Sequence, residues 1–522
     1  MTYRTAERHG TEATVVIRET GRTERGKAVT LCLFVFLALD AGLLIFGLSD
    51  SFGGYHGFNE AWYSIVAENY SSHSFLTPTT YENTIDLNIP PLLSYLLYAS
   101  FSLFGRSEFA ARLVPLAFSI LSLVGTYLLC RWMMRREAAL EAVALLASTP
   151  IFLLVGGNVQ TDMLFVSLSL LFTFFYLKAR QSGKRSHVAV AGLFLGTALL
   201  SKQFAIIPLA AIVLWELLGS KRTRLLRSDF ILLLVVGGLV VTPFYGYHLL
   251  RDPAYLIGSQ LHGSASRAGF ATGPTLRFLL GETLSGCSPL FLAGSLAGMG
   301  LMFFHLNRRK LLIGLSILAY FTFYLFLHKH SYYFLGMIPF LALCFTELSE
   351  NLPNKIYDGL LILTVATATL FSAYQLEGRK YGFDEFKHVG EQLRAYQRPV
   401  LLIDHSVSDS YGPVLKYYAS NATLLLQGST LSSSDREKLR TADKVFSLTE
   451  IPVSGSANNV LPIQCTRYGV KIGNRVYIHV PPNIHFFEPS LPTEPHDYQI
   501  IGSFGPFVKL ELPSFYMVVT PS

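Results

Sequence analysis

Residues 28–48 read AVTLCLFVFLALDAGLLIFGL, an apolar run 21 residues long that follows a hydrophilic start carrying six basic residues between Arg4 and Lys27. A helix of that length rises about 30 Å, enough to cross a bilayer core. A secretory leader has a core of roughly 7–15 residues and a small-residue cleavage site. This run exceeds that length and lacks such a site, so it is expected to stay as a first span. Asp40 lies inside it; an acid there is either functional or a buried polar contact, and the second reading is preferred. The whole chain repeats the theme. Of its 522 residues 51% are hydrophobic and only 15% charged, against roughly 25% charged in soluble domains. This is a membrane protein.

The net charge of +7 does not point to nucleic acid, because the basic residues sit in short clusters between apolar runs. Such clusters fix orientation, basic side toward the cytoplasm. They occur at Arg131–Arg136, Lys178–Arg185, Lys221–Arg227 and Arg308–Lys310, with Lys355 as a weaker fifth. If all share one side with the N-terminus, an even number of spans separates neighbours. The apolar stretch from Arg136 to Lys178 is interrupted by Asn158, Gln160, Thr161 and Asp162, which makes two spans. The stretch after Lys310 is interrupted by His328 to Tyr333. Between His187 and Leu218 a single helix would bury Lys202 at mid-bilayer, at a cost of ~3 kcal/mol or more. Two short helices turning at Ser201–Gln203 avoid that. The apolar segment Pro90–Gly105 is expected to lie along the interface, since counting it as a span would invert every later loop.

The reading is a polytopic α-helical membrane protein of about 11 transmembrane helices, N-terminus inside and C-terminus outside. Residues 1–27 form a cytoplasmic tail and 28–376 the membrane module, with a first external loop over 49–111. Residues 377–522 are more polar, with strand-like runs at Val400–Ile403, Thr423–Leu426 and Val476–Val480. Helix-like runs at Asp384–Tyr396 and Asp435–Thr441 alternate with them, and Gly473-Asn474 looks like a hairpin turn. A small extracytoplasmic α/β domain is expected there. The five cysteines show neither disulfide nor zinc spacing.

Three hairpin tips then emerge on one side, carrying Asp162, Lys202, and Lys329 with its flanking histidines and tyrosines. The first loop opens Gly57-Phe58-Asn59-Glu60-Ala61-Trp62-Tyr63. Leu87-Asn88-Ile89-Pro90-Pro91, Ser107-Glu108-Phe109-Ala110-Ala111-Arg112-Leu113, Thr161-Asp162-Met163, Leu200-Ser201-Lys202 and Lys329-His330-Ser331-Tyr332-Tyr333 follow in order. This ordered set over residues 30–350 resembles the C-type glycosyltransferase superfamily, in its protein mannosyltransferase and lipid A aminoarabinose transferase branch. The resemblance implies an integral-membrane enzyme that moves one sugar from a polyprenyl-phosphate donor to a lipid, glycan or protein acceptor. It also implies a bacterial inner membrane, with the first external loop on the catalytic face. In that family the loop usually opens with an Asp-Glu pair. Here Asn59 replaces the Asp and only Glu60 remains, and Ile89 stands where a Lys or His often precedes the prolines. Either Glu60 or Asp86 takes the acid role, or specificity or activity is altered.

The chemistry wants these residue types. Attack by an acceptor hydroxyl needs a carboxylate to take its proton, and the departing phosphate gains charge that nearby cations stabilise. Glu60 and Asp162, beside Asn59, are the catalytic candidates. Lys202, Lys329, Tyr332 and Tyr333 are the candidates for the donor phosphate. The competing role of Asp162 is a helix cap, and that of either lysine a snorkelling anchor. The residues point to no particular cofactor; dependence on a divalent cation is left open, with acids that could hold one but no ligand spacing that requires it. The rivals are a secondary transporter, which would call for repeats that are not visible, and a non-catalytic membrane scaffold.

Overall fold

The computed structural model describes residues 27–134, 137–219, 228–265, 280–281, 283–326, 331–379, 384–403, 405–426, 432–449, 460–472, 475–478, 499–504 and 507–519. Helix α1 (Lys27–Ile45) leads into a long loop that holds α2 (Gly57–Asn69) and α3 (Leu92–Phe104). Then come α4 (Glu108–Met133), α5 (Ala138–Ala147), α6 (Pro150–Gly156), α7 (Asp162–Ser182), α8 (Arg185–Ser201), α9 (Ile206–Leu217) and α10 (Ser228–Arg251). The membrane module continues with α11 (Pro253–Ala265), α12 (Pro289–Phe304), α13 (Arg308–Phe326), α14 (Ile338–Thr346), α15 (Leu348–Asn351) and α16 (Asn354–Arg379). By length and composition, seven helices among the described residues suffice to span, or eight if the pair α5 and α6, bent by 68°, counts as one. The shorter apolar helices include α8, α12 and the 203–217 stretch. Pro150 opens α6, where its missing N–H costs nothing.

The break at Lys202 is present. α8 ends at Ser201, Lys202 is extended (φ −161°), and a 3-10 turn over Gln203–Ala205 leads into α9. α8 packs on α7 and α10, whereas α9 packs on α13. Close approach of α8 to α10 rests on glycines: a methyl at Gly192 would come within 2.7 Å of Leu233 O, and one at Gly196 within 2.6 Å of Gly237 O. Small residues let helix backbones meet in lipid, where burial of apolar surface offers little drive. α12 and α14 meet the same way. A methyl at Gly298 would overlap the Cys344 carbonyl, a backbone atom that cannot step aside. Gly298→Ala should therefore cost about 1–3 kcal/mol, read as earlier thermal unfolding in detergent. Unfolding unchanged from the parent protein would contradict this packing. Asp40 is buried and accepts a hydrogen bond from the Thr369 hydroxyl at 2.9 Å, tying α1 to α16.

The two ends of the bundle differ. At one, Glu216 of α9 is buried and pairs with Arg180 of α7 (2.8 Å) and Arg308 of α13 (3.1 Å), while Tyr176 donates to it at 3.0 Å. Beside it, Trp132 donates to Gln181 at 2.9 Å and the Arg309 guanidinium lies 5.0 Å from the Trp132 ring. Residues of three separate basic clusters thus share one end. The other end begins at Asp162, a full α7 length away, about 30 Å.

The C-terminal part is α/β. α17 (Glu385–Leu393) precedes β1 (Pro399–Ile403), α18 (His405–Tyr418), β2 (Thr423–Leu426), α19 (Ser433–Arg440) and β3 (Lys444–Thr449). Ser432 and Asp435 cap α19 reciprocally. Strands β4 (Val460–Ile472), β5 (Arg475–Ile478), β6 (Gln499–Phe504) and β7 (Phe507–Val519) complete the sheet, ordered β2-β1-β3-β7-β4-β5 with β6 also on β7. β1 pairs in parallel with β2 and β3, while β7 runs antiparallel to β3, β4 and β6. The hairpin expected around Gly473-Asn474 has its strands: Ile472 pairs with Arg475 and Gly469 with Ile478. The two turn residues lie outside the described residues.

Candidate active site

The tip between α6 and α7, residues 157–161, gathers the site because its polar groups turn toward the first loop. Asn158 Nδ2 donates to the Tyr55 carbonyl at 2.5 Å, and the Val159 N–H donates to Glu60 Oε1 at 3.1 Å. Three residues after Val159, Asp162 opens α7, where the helix dipole favours a carboxylate. Its Oδ1 accepts from Lys202 Nζ at 2.6 Å, and both side chains are buried. The Lys202 ammonium also faces three rings, Tyr333 at 4.7 Å, Phe204 at 4.9 Å and Tyr332 at 5.0 Å. A cation held between an acid and aromatic faces, 8% exposed, is not a snorkelling anchor. The Asp162 side chain likewise turns to Lys202, and Thr161, the cap residue of α7, makes no side-chain cap bond.

Glu60 is the other acid. It sits in the first turn of α2, 2% exposed, in a two-pronged pair with Arg112 of α4: Nε to Oε1 at 2.8 Å and Nη2 to Oε2 at 2.7 Å. Arg112 also donates to the carbonyls of Gly47, Leu48, Asp50 and Ser51. It thereby ties α4 to the turn that follows α1. Both Glu60 oxygens accept hydrogen bonds, Oε1 from Arg112 and Val159 and Oε2 from Arg112. Asn59 Nδ2 lies 3.5 Å from His56 Nδ1. The His56 ring packs edge-on against Tyr332 (4.9 Å) and Tyr55 (4.2 Å). His56 holds φ 56°, a left-handed backbone that a histidine adopts at some cost, and such strain clusters at functional sites.

The structure therefore brings Asn59, Glu60, Asp162, Lys202, Tyr332 and Tyr333 into one neighbourhood. Lys329 and its flanking histidines lie outside the described residues. Asp86, on the loop between α2 and α3, accepts from the Asn88 N–H at 2.8 Å. Among the described residues no three of His, Cys, Asp and Glu gather as a metal-holding group. Sequence reasoning missed Arg112, His56 and Gln160. Arg112 carried a usable signal, since an arginine one turn into an apolar helix demands an acid partner. His56 and Gln160 carried none, because what sets them apart here is the left-handed backbone of His56 and the burial of Gln160.

The C-terminal domain closes over the first loop. α18 packs against α2, and the Tyr418 hydroxyl accepts from the Phe52 N–H at 2.7 Å while donating to Glu108 at 3.0 Å. Burial pushes the Tyr418 hydroxyl well up from its ordinary range, so it keeps the proton that this donation needs. Arg106 pairs with Glu68, stacks 4.1 Å from the Tyr417 ring and donates to the Tyr417 carbonyl at 2.6 Å. Phe52 in turn lies under the Arg112 guanidinium, 5.1 Å away.

Residues 88–247 match the family model described as dolichyl-phosphate-mannose-protein mannosyltransferase. No curated protein matches the sequence. Among solved structures, the fold is similar to ArnT of Cupriavidus metallidurans bound to undecaprenyl phosphate, at 14% identity and a TM-score of 0.61. That match covers 92% of this chain and 97% of that one. It is also similar to the Archaeoglobus fulgidus oligosaccharyltransferase, at 12% identity and a TM-score of 0.54, over 80% of this chain and 67% of that one. The chain thus has the fold of the C-type membrane glycosyltransferases, and the resemblance read from its motifs is borne out by the protein mannosyltransferase match.

Proposed function

We propose that this protein is a glycosyltransferase that moves a single sugar from a polyprenyl-phosphate donor to a lipid, glycan or protein acceptor. The carrying observation is the buried Asp162–Lys202 pair lined by Phe204, Tyr332 and Tyr333. It lies a helix length from the basic end, where a lipid-anchored donor presents its phosphate at headgroup depth. The likeness to a solved structure holding undecaprenyl phosphate supports the same reading. In it, Lys202 shares its charge between Asp162 and the donor phosphate, and Tyr332 and Tyr333 border the phosphate, with Lys329 a further candidate. Asp162 or Glu60 takes the proton of the attacking hydroxyl as that oxygen bonds to the anomeric carbon. The bond from that carbon to the phosphate oxygen breaks with inversion, and the phosphate leaves with the electron pair. Asn59 orients His56 at the edge of this site. Whether a hexose or a pentose moves depends on the donor the site accepts.

We further propose a bacterial inner membrane, with residues 1–27 cytoplasmic and both the site and residues 377–522 on the opposite face. Asp40 lies inside α1, whereas the ion pairs described above lie at the two ends of the bundle, which favours surface chemistry over a transporter's midplane site. Mass spectrometry of envelope lipids and glycans, with and without the gene, tests the activity. A single-sugar increment that disappears with the gene is expected. Unchanged glycans and lipids would sink the proposal.

A further inference from the structure

We infer that Gln160 reads a sugar hydroxyl in this site, together with Asn158, and so helps to choose which sugar is transferred. The inference rests on the glycosyl-transfer reading above. Gln160 is 2% exposed, yet neither its Nε2 nor its Oε1 has a hydrogen-bond partner among the described residues. Asn158 is fully buried, and its Oδ1 is also without one. The orientation of the Asn158 amide is fixed by its Nδ2, which donates to the Tyr55 carbonyl at 2.5 Å, so the open atom is an acceptor. Buried polar side chains are nearly always hydrogen-bonded, and each exception calls for an explanation.

Placement and chemistry supply one. The neighbour on one side, Val159, donates to Glu60, and two residues beyond Gln160, Asp162 holds Lys202. The two open amides therefore lie on the short segment that joins the two ionic pairs of the candidate site. Between them they offer one N–H₂ donor and two carbonyl acceptors. A phosphate has only acceptors at its surface, so it would set two amide oxygens against its negative charge. A metal cation would meet the Gln160 N–H₂ group and the nearby Lys202 ammonium. Hydroxyl groups donate and accept at once, and neighbouring hydroxyls on a sugar ring match this mixed set. The lysine and its rings then face the phosphate, while the tip amides face the sugar.

The test uses the full-length protein in detergent or nanodiscs, with Gln160→Met, which keeps the side-chain length and removes both polar atoms. Three quantities are compared with the parent protein: thermal unfolding, the shift in unfolding caused by undecaprenyl phosphate, and the rate of sugar transfer to the product found in the envelope comparison. Expected are unfolding at or above the parent temperature, an unaltered undecaprenyl phosphate shift, and kcat/KM lower by about 10- to 100-fold. Transfer within twofold of the parent protein overturns the inference, as does loss of the undecaprenyl phosphate shift. Should Gln160→Met fail to fold, Gln160→Asn decides, since it keeps the amide but withdraws it by one methylene. Reduced transfer with normal unfolding supports the inference, and unchanged transfer overturns it. Absence of transfer by the parent protein itself is a different result, because it removes the glycosyl-transfer reading on which this one stands.

Discussion

Lys202→Met should reduce sugar transfer by about 10²- to 10³-fold, the usual effect of removing one preorganised group that stabilises charge in the transition state. The side chain is shorter by one atom but keeps an apolar stem among Phe204, Tyr332 and Tyr333. What is lost is the positive charge facing the departing phosphate. A structural explanation must be separated from this, because the substitution also leaves the buried Asp162 without its cation, at a cost of about 3–5 kcal/mol. The double variant Lys202→Met/Asp162→Asn removes both charges and should regain most of that stability while transfer stays low. If transfer returned together with stability in the double variant, Lys202 would be a structural residue and the assignment would fail.

The second large effect concerns Arg112. Arg112→Met should lower stability by about 3–5 kcal/mol, since it removes the ion-pair partner of the buried Glu60 carboxylate. Arg112→Lys should recover little. An ammonium is a point donor, whereas the guanidinium reaches both Glu60 oxygens and the carbonyls beyond them with one planar fork. Adding Glu60→Gln to Arg112→Met should return part of the loss, because a neutral amide is easier to bury than an unpaired charge. Thermal unfolding of the four proteins reads the series. An Arg112→Lys protein as stable as the parent would show that the fork geometry is not what holds this corner together.

Much of this was legible in the sequence, for reasons that particular residues make plain. Apolar runs of span length and the clusters at Arg131–Arg136, Lys178–Arg185 and Arg308–Lys310 mark helices and their ends by composition alone. Lys202 was placed at a break because the alternative, a lone ammonium in hydrocarbon, is so costly. The gathering of Asp162, Lys202, Tyr332 and Tyr333 followed from the same parity argument. The span count was less legible, since α8 and α12 are too short to qualify by length alone. In the C-terminal domain the short strands β1 and β2 showed as apolar runs, but α18 did not show at all. Pro413 and the small polar residues near its start hide its helical pattern, while its docking face is set by Tyr417 and Tyr418 against residues more than 300 positions earlier. The Glu60–Arg112 pair was hidden for a related reason. The residues are 52 positions apart, and only the meeting of α2 with α4 brings them together.

The sheet order has a consequence for how the protein is made. β7 lies between β3 and β4 in the sheet, although β4, β5 and β6 precede it in the chain, so β3 and β4 cannot be joined until residues 507–519 have been made. The strands that emerge from the ribosome before it wait for a partner that enters between them. The domain that bears on Phe52, Glu108 and the first loop therefore closes its sheet only after the whole membrane module has been synthesised.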